Sequence, residues 1–295
     1  QVWIKKHHPD VLLIENEKNY GYAGGCNIGS KKAIGEYIIF LNNDTIQKSD
    51  WIKNLVAIMD SNQSIAAAQP KILNYFEKNL FDYAGGSGGH MDIFCFPFAR
   101  GRLFLEQEND FGQYNNAQKC FWASGTAMIV RKNLFFQAGK FEDIFFSHME
   151  EIDLCWRFQS MGYEVWVEPN SVVFHKNAIS LPMHSRKKYF LNHRNSLIMI
   201  ISNYPILKSI AFGSLRLLLE VVAFLYALIK LDFNHMIGIL QSFFWLILNP
   251  LKILRKRNRF KKIKKVSFEE TSKNITFNSV VLQHYIFQKK TYSEI

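Results

Sequence analysis

Over its first 170 residues, the chain alternates short apolar runs with stretches of helical periodicity. Short apolar runs bounded by turn-forming residues are typical of buried strands. Their alternation with helices predicts an α/β domain whose sheet is at least partly parallel. We expect an amphipathic helix at residues 50–60, with Ser49 as its N-cap. The runs expected to form strands are residues 11–15, 36–42, 65–70, 126–131, 164–167 and 172–174.

The character of the chain changes after Pro205. Residues 210–231 and 236–248 are strongly apolar, and a basic run follows at residues 252–265. The net charge is +11, and much of it lies in this run. Basic residues next to an apolar segment favour an anionic membrane surface, and they argue against a nucleic-acid partner. We therefore divide the chain into a catalytic domain (1–204), a membrane-associated helical hairpin with its basic run (205–265), and a tail (266–295).

Two charges lie near the middle of the longer apolar segment. A charged side chain at the centre of a spanning helix costs roughly 2.5–3.5 kcal/mol on insertion scales. Arg216 and Glu220 are four residues apart, so they can pair on one polar face of a helix. The second segment is too short to span a bilayer. These features favour peripheral attachment at the cytoplasmic face of the plasma membrane over spanning, although helices packed on a soluble domain remain an alternative.

The cysteines and the first residues bear on compartment and completeness. Four cysteines are scattered without the spacing of a metal site, which indicates reduced core residues in a cytosolic setting. No signal peptide is visible. The chain starts with Gln1 and enters a helix-like stretch at once, so we expect the natural N-terminus to lie upstream.

An aspartate follows the apolar run at residues 36–42, in the segment Leu-Asn-Asn-Asp-Thr. A carboxylate at the C-terminal edge of a strand lies where open α/β sheets bind ligands. Asp44 with amide neighbours suits a hard divalent cation that also binds a diphosphate. The competing interpretation is a turn, because Asn-Asn-Asp-Thr also has good turn chemistry.

A glycine-rich segment, Asn-Tyr-Gly-Tyr-Ala-Gly-Gly-Cys-Asn-Ile-Gly, occupies residues 19–29. It follows an expected strand and opens a helix, so its N–H groups are placed to face a phosphate or a sugar. It matches neither common phosphate-loop motif. A simple glycine-rich connection is an equally good interpretation. Candidate donor contacts here are Gly21, Gly24, Gly25 and Asn27.

Three acids occur within four residues, at Glu150, Glu151 and Asp153. On a helix, Glu150 and Asp153 share a face and Glu151 lies about 100° away. Adjacent acids raise one another's pKa, which suits a general base. Acids that only favour the helix dipole are the alternative, but flanking Phe, Leu and Trp residues argue against a solvated face. His175 ends a short apolar run and is a candidate metal or phosphate contact, although a lone histidine is more often structural.

These pieces together resemble the family-2 glycosyltransferases, in particular the rhamnosyltransferase-like branch. The resemblance covers about residues 1–200 and rests on the order of the motifs. The matching segments are residues 19–29, 41–45, 121–131, 141–157, 162–175 and His-Arg-Asn at 193–195.

The resemblance implies a GT-A fold, with a Rossmann-like, mixed and mostly parallel sheet, and an inverting mechanism. Asp44 then binds Mg²⁺ or Mn²⁺ with His175, and Asn42 replaces the first acid of the family's metal motif. Glu151 stands where the family has its general base, with Glu150 and Asp153 beside it. The further candidates that it implies are Asn42 and Asn43 toward the donor, and Trp122, Ser124 and Gly125 toward the acceptor.

The implied donor is a nucleotide-diphosphate sugar, either dTDP-rhamnose or a UDP-sugar. The implied acceptor is a cell-envelope saccharide or a lipid-linked saccharide. Arg100, Arg102 and Arg194 are candidate phosphate clamps, because arginine offers paired donors; solvated surface arginines are the alternative. One departure is that the family's first strands and its Asp-Asn-x-Ser motif are missing, so the base-binding Asp is expected to lie outside this chain.

Three other classes compete with this interpretation. A glycoside hydrolase also uses paired acids, but it needs neither a metal-binding Asp nor a phosphate loop. A membrane-associated sugar-nucleotide-binding or scaffold protein without catalysis fits the missing segment. A nucleic-acid binder explains the charge but leaves the acids unexplained.

Overall fold

The computed structural model describes residues 2–176 and 184–295. The expected α/β class is confirmed, with a mixed main sheet followed by a group of C-terminal helices. The strands are β1 (Tyr37–Leu41), β2 (Thr45–Gln47), β3 (Ile65–Asn74), β4 (Gly89–Met91), β5 (Pro97–Ala99), β6 (Arg102–Leu103), β7 (Glu106–Gln107), β8 (Gln118–Lys119), β9 (Ala127–Arg131) and β10 (Glu164–His175).

The helices continue in the same order. They are α1 (Val2–His7), α2 (Gly21–Ser30), α3 (Trp51–Ser61), α4 (Lys132–Gln137), α5 (Glu150–Ser160), α6 (Arg186–Asn203), α7 (Ile206–Ile229), α8 (Phe233–Leu248), α9 (Pro250–Ile263), α10 (Phe268–Ser272) and α11 (Val280–Tyr285).

The main sheet has the strand order β1-β9-β3-β10-β2, and β8 also pairs with β10. Strands β3 and β10 pair in parallel, whereas β9 runs antiparallel to both of its neighbours and β10 runs antiparallel to β2 and β8. The parallel share of the described sheet is therefore smaller than the sequence predicts. The reason is that β9 inserts between two strands, which periodicity within a strand cannot reveal.

Helices cover both faces of this sheet. On one face, Trp51, Leu55 and Met59 of α3 recur at the helical interval and pack against Ile65 and Val173. The larger core on the opposite face joins α4, α5 and the α6–α9 group to the sheet. The nearly complete burial of β3 follows from this double cover, since a strand with helices on both faces has no solvent side.

Residues 84–116 contain a small antiparallel sheet of four strands, β4–β7. The strands are two or three residues long, too short for a period-2 pattern to be visible in the sequence. Gly101 allows the tight turn between β5 and β6, with φ of +92°, and a Cβ there would lie 2.3 Å from the Phe81 ring.

The C-terminal helices pack on one another and on α5. Helix α6 contacts α7, α8 and α9, and a bend of 76° separates α8 from α9 at Asn249 and Pro250. Helix α7 has 24 residues and a mean hydropathy of 1.9, so it is long and apolar enough to cross a membrane, and only 17% of its most apolar window is buried. The Arg216–Glu220 pair expected from the sequence is present, with a nitrogen–oxygen distance of 2.6 Å, and it faces inward.

Three local predictions differ from the structure. Residues 11–15 form no strand, and Val11 and Leu12 are exposed. Asp50, not Ser49, is the N-cap of α3, and its side chain makes no capping hydrogen bond. The two short strands expected at 164–167 and 172–174 are one strand, β10, with a register shift between Glu168 and Val172.

Candidate active site

Asp44 and His175 lie side by side where β1 and β10 end. His175 Nε2 is 3.2 Å from Asp44 Oδ1, and His175 Nδ1 is 2.9 Å from Asp82 Oδ1. Burial lowers the pKa of His175, but the hydrogen bond to Asp82 and the charges of Asp82 and Asp44 outweigh it, so the net pKa is raised. The sequence analysis missed Asp82, which follows β3 by eight residues and carries no motif of its own.

These residues pass a chemical test for a divalent cation. Asp44 Oδ1 is buried and has no hydrogen-bond partner among the described residues, because its approach to His175 lacks hydrogen-bond geometry. No group of three or more His, Cys, Asp or Glu side chains in residues 2–176 and 184–295 is arranged to hold a metal. One carboxylate and one imidazole therefore fit a cation that takes its remaining ligands from water and a diphosphate.

Glu150 and Glu151 open helix α5, directly after a left-handed segment of backbone. Phe146, His148 and Met149 all have positive φ, between 64° and 72°. Such conformations are costly for residues other than glycine and persist only where the surroundings enforce them. Here the enforcement comes from Asn195 of α6, whose amide donates to the carbonyls of Phe145, Ser147 and His148 at 3.1, 2.9 and 2.6 Å.

The two glutamates carry oxygen atoms that lack internal partners. Glu150 Oε2 and Glu151 Oε2 are buried without a hydrogen bond in the part of the chain that the structure describes, as is His148 Nε2. Burial raises the pKa of Glu151 to about 7, against the opposing hydrogen bonds from the backbone at 151 and 152. Burial and the adjacent charge of Glu151 raise the pKa of Glu150 further. Unsatisfied acids with such pKa values are typical of a site that handles protons.

Asp153, the third acid, is bound entirely within the protein. It is fully buried and pairs with Arg157 at 2.8 Å and with Lys256 at 2.6 Å. Burial alone would raise its pKa, but these two cations and a hydrogen bond from Asn203 lower it. Asp153 is therefore a fixed anion behind the acid pair and has no free oxygen to offer a substrate.

The glycine-rich segment forms helix α2 and packs against the loop that precedes the acids. Gly21 has φ of +72°, and a Cβ there would lie 2.2 Å from the carbonyl oxygen of Phe146, so no other residue fits. Asn27 donates to the Phe141 carbonyl at 2.8 Å and to Asp143 at 2.9 Å. Gly21 and Asn27 thus hold the acid loop in place.

The other two glycines of this segment differ in their surroundings. A Cβ at Gly24 would lie 2.6 Å from Tyr20 Cβ, so the Tyr20 side chain already occupies the space beside this position. Gly25 has no heavy atom within 4 Å of a Cβ position and faces open space. Of the four candidate donor contacts in α2, Gly25 alone is placed to meet a ligand.

The turn from Ser124 to Thr126 connects the end of the sheet that carries Asp44 to the acid pair. Asn42 N donates to Thr126 O at 2.9 Å, and Tyr22 Oη donates to Gly125 O at 2.6 Å. Burial, followed by the charges of Cys26, Glu150 and Glu151, raises the pKa of Tyr22 well above its ordinary value, so this phenol lies beside the acids. The sequence analysis included Tyr22 in its motif but assigned it no role.

The residues expected at the acceptor are buried. Trp122 donates its indole N–H to His90 O at 2.7 Å, and Ser124 Oγ donates to Ala84 O at 2.5 Å. Trp122 and Ser124 thus join the small sheet to the main sheet, and Gly125 shapes the turn beside Tyr22. The Trp122 indole N–H and the Ser124 hydroxyl are thus already bound to backbone carbonyls. In contrast, Asn43 is exposed and Asn42 is half-buried next to Asp44.

The three arginines expected at the donor phosphate are buried and bound to the protein's own backbone. Arg100 donates to Tyr114 O at 2.8 Å, and Arg102 donates to Phe104 O and Pro97 O at 3.3 Å. Arg194 donates to Ile144 O at 3.1 Å and Phe145 O at 2.8 Å. The proposed donor site therefore does not include them. The sequence around a single arginine does not show whether its guanidinium donates to backbone carbonyls of a loop or binds phosphate.

Comparisons with known proteins agree with this geometry. The Glycosyl transferase family 2 profile matches residues 1–136. The low-salt glycan biosynthesis hexosyltransferase Agl10 of Haloferax volcanii is 28% identical over 158 residues, which cover 51% of this chain and 47% of that protein. The rhamnosyltransferase WbbL of Escherichia coli K12 is 26% identical over 180 residues, covering 58% and 64%. The chain thus spans about half to two thirds of the length of these curated relatives.

A solved structure supports the fold. The crystal structure of GalNAc-T7 with UDP, GalNAc and Mn²⁺ aligns with a TM-score of 0.59 at 16% identity, covering 96% of this chain and 48% of that one. The chain therefore resembles the family 2 glycosyltransferases over residues 1–136, and its fold is that of the GT-A glycosyltransferases, followed by C-terminal helices.

Proposed function

We propose that this chain carries the catalytic domain of an inverting glycosyltransferase that moves a sugar from a nucleotide-diphosphate donor to a hydroxyl of an envelope saccharide or a lipid-linked acceptor. The observation that carries the proposal is the acid pair. Two adjacent glutamates have buried, unpartnered oxygens and raised pKa values, and the 124–126 turn joins them to Asp44 and His175. Asp153 is bound by two cations, whereas one oxygen of each glutamate lacks a hydrogen-bond partner among the described residues.

Glu151 is the general base in this proposal. Its pKa of about 7 keeps a large fraction ionised at neutral pH, whereas burial and the adjacent charge of Glu151 hold the pKa of Glu150 well above its ordinary value. Glu151 accepts the proton of the acceptor hydroxyl, whose oxygen attacks the anomeric carbon while the bond to the diphosphate breaks. One displacement inverts the configuration, and no second carboxylate is needed as a nucleophile.

Asp44 and His175 would hold a Mg²⁺ or Mn²⁺ ion. Such an ion supplies Lewis-acid stabilisation of the departing diphosphate when it is bound. Asp82 contacts the other ring nitrogen of His175 and so fixes the orientation of the imidazole, as carboxylates behind metal-binding histidines commonly do. Asn42, Asn43 and Gly25, the accessible members of the expected donor set, are proposed to contact the donor.

The donor and acceptor classes are supported by the names of the relatives. One is a rhamnosyltransferase, one is a hexosyltransferase, and the N-acetylglucosaminyl-diphospho-decaprenol L-rhamnosyltransferase of Mycobacterium tuberculosis is 28% identical over 83 residues, covering 28% of this chain and 27% of that protein. We propose dTDP-rhamnose or a UDP-sugar as the donor on this basis.

Peripheral attachment to the cytoplasmic face of an anionic membrane completes the proposal. Helices α7 and α8 present an exposed apolar face, whereas Arg216 and Glu220 pair on the inner side, away from it. An exposed apolar face of this extent is unusual for a soluble surface. Helix α9 adds exposed cations next to that face, Lys252 and Arg255. Lys256 and Arg257 are buried, so part of the basic run does not contribute to lipid binding.

The test is transfer from nucleotide sugars in the presence of Mg²⁺ or Mn²⁺, with Asp44→Asn as the variant and Asp50→Asn, an exposed acid at the start of α3, as the control. We expect Asp44→Asn to fold and to lose transfer, and Asp50→Asn to behave as the wild type. Full activity in excess chelator would contradict the metal assignment. Nucleotide-sugar binding without turnover would favour the scaffold alternative, and donor-independent hydrolysis of glycosides would favour a hydrolase.

A further inference from the structure

A buried ionic network connects the acid helix to a helix about one hundred residues downstream. Lys256 of α9 donates to Asp153 Oδ1 at 2.6 Å, to Ser202 Oγ at 2.8 Å and to Asn203 Oδ1 at 2.7 Å. Arg157 donates to Asp153 Oδ2 at 2.8 Å. The side chains of Lys256, Asp153 and Arg157 are 0–2% exposed.

Helix α9 also holds the loop that leads into the acid pair. Arg259 donates to both carboxylate oxygens of Glu142, at 3.0 and 2.5 Å. Glu142 directly precedes the 3₁₀ turn at Asp143–Phe145, and the left-handed residues and the two glutamates follow. Arg157 donates to Lys140 O at 2.6 Å on the other side of Glu142. The segment from 140 to 153 is therefore held at both ends by the same charged network.

Stability alone gives a weak reason for this arrangement. Moving three charged groups out of water is costly, and replacing such a set with apolar residues of similar volume is often neutral or stabilising. What this charged network does supply is a defined geometry, because Lys256 Nζ and Arg157 Nε have fixed acceptors, while Arg157 Nη2 has none among the described residues. Asp153 lies on the same face of α5 as Glu150, three residues on, so fixing Asp153 fixes the first turn of α5.

We propose that Lys256 is a positioning residue for the acid pair: by binding Asp153 from α9, it sets the orientation of the first turn of α5 and of the Glu151 carboxylate. The proposal rests on the proposed function, because it assigns Glu151 the role of base. It also gives the basic run after the apolar hairpin a function other than contact with lipid.

The experiment compares Lys256→Met with Lys261→Met in the full chain. Lys261 lies on the same helix and is exposed, so its replacement removes the same charge from α9 without touching Asp153. For Lys256→Met we expect kcat to fall about 10- to 100-fold, the range for a small misplacement of a catalytic group, with donor KM within about twofold of the wild type. The acid limb of the pH–kcat profile moves to higher pH, because a cation behind the acids is lost. Lys261→Met leaves all three quantities unchanged.

Hydrogen exchange of residues 141–153 provides a readout that does not depend on activity. We expect faster exchange there in Lys256→Met and unchanged exchange in Lys261→Met. If Lys256→Met speeds exchange in residues 141–153 but the wild type transfers no sugar, the proposed function fails. The exchange data still show that Lys256 positions the acid pair. A folded Lys256→Met with wild-type exchange, kcat and pH profile overturns the proposal. Should Lys256→Met not fold, Lys256→Gln, whose amide can still donate to Asp153, is tested against the same criteria.

Discussion

Replacing Glu151 with glutamine is expected to make the protein more stable and the enzyme inactive. In the folded chain the pKa of Glu151 is about 7, against an ordinary value of 4.5. The protonated carboxyl is therefore favoured in the folded state, and folding stability falls as pH rises from 4.5 through 7. At about 1.36 kcal/mol for each pH unit, the difference amounts to about 3 kcal/mol at pH 8. Glutamine, which never ionises, removes this loss.

The assay is urea or thermal unfolding at pH 5 and pH 8, with Glu17→Gln, an exposed glutamate, as the control. At pH 8 we expect Glu151→Gln to gain about 1–3 kcal/mol, because the partly exposed carboxylate keeps some hydration, and Tm to rise by about 2–10 °C. At pH 5, half a unit above the ordinary pKa, the gain should be less than about 1 kcal/mol. In the same preparations transfer should fall about 10²- to 10⁴-fold with donor affinity unchanged.

Two results would refute this reasoning. A stability difference that is the same at pH 5 and pH 8 would mean that Glu151 ionises as freely in the folded chain as in the unfolded one. If Glu151→Gln turns over normally and Glu150→Gln is inactive, Glu150 and not Glu151 is the general base.

Three further changes test other parts of the structure. Gly21→Ala should destabilise the fold by about 1–3 kcal/mol and slow transfer, since its Cβ meets the Phe146 carbonyl, whereas Gly25→Ala, which has free space, should leave unfolding unchanged. Glu220→Gln leaves Arg216 buried without its charge partner and should lower the free energy of unfolding by about 3–5 kcal/mol; a change within 0.5 kcal/mol would mean that the pair is hydrated. Replacing Leu218 and Val222 together with glutamate should weaken binding to anionic vesicles without altering the circular dichroism spectrum, and unchanged sedimentation with vesicles would locate the membrane contact elsewhere.

The fold was predictable from the sequence where a single strand or helix has its own pattern of apolar residues. The apolar run at 36–42 and the periodic residues of α3 appear where expected because their burial depends on local patterning. The antiparallel insertion of β9, the short strands β4–β7 and the union of two runs in β10 depend on pairing with distant residues, which no local pattern encodes. The strand expected at 11–15 is absent although its composition favours one, because an apolar run needs a neighbouring strand to pair with.

The candidate site could be predicted from the sequence at positions where the residue type alone indicates the chemistry. Asp44 and His175, 131 positions apart by residue number, do lie together, and one oxygen of each glutamate lacks a hydrogen bond among the described residues. The role of the three arginines could not be predicted from the sequence. A guanidinium fits a phosphate and a set of loop carbonyls equally well, and only the surroundings decide between them. Tyr22 and Asp82 were missed because neither belongs to a recognisable spacing.

The bond between Lys256 and Asp153 has a consequence for biogenesis. A ribosome synthesises Asp153 about one hundred residues before its partner, and α7 and α8 emerge in between. A nascent chain can therefore bury the apolar face of α7 and α8 in a bilayer before Asp153 of α5 pairs with Lys256. Contacts between residues so far apart in sequence also form late in folding, because the closing of a long loop must precede them. Catalytic competence would then arise after delivery to the membrane, so that sugar transfer begins only where the acceptor is found.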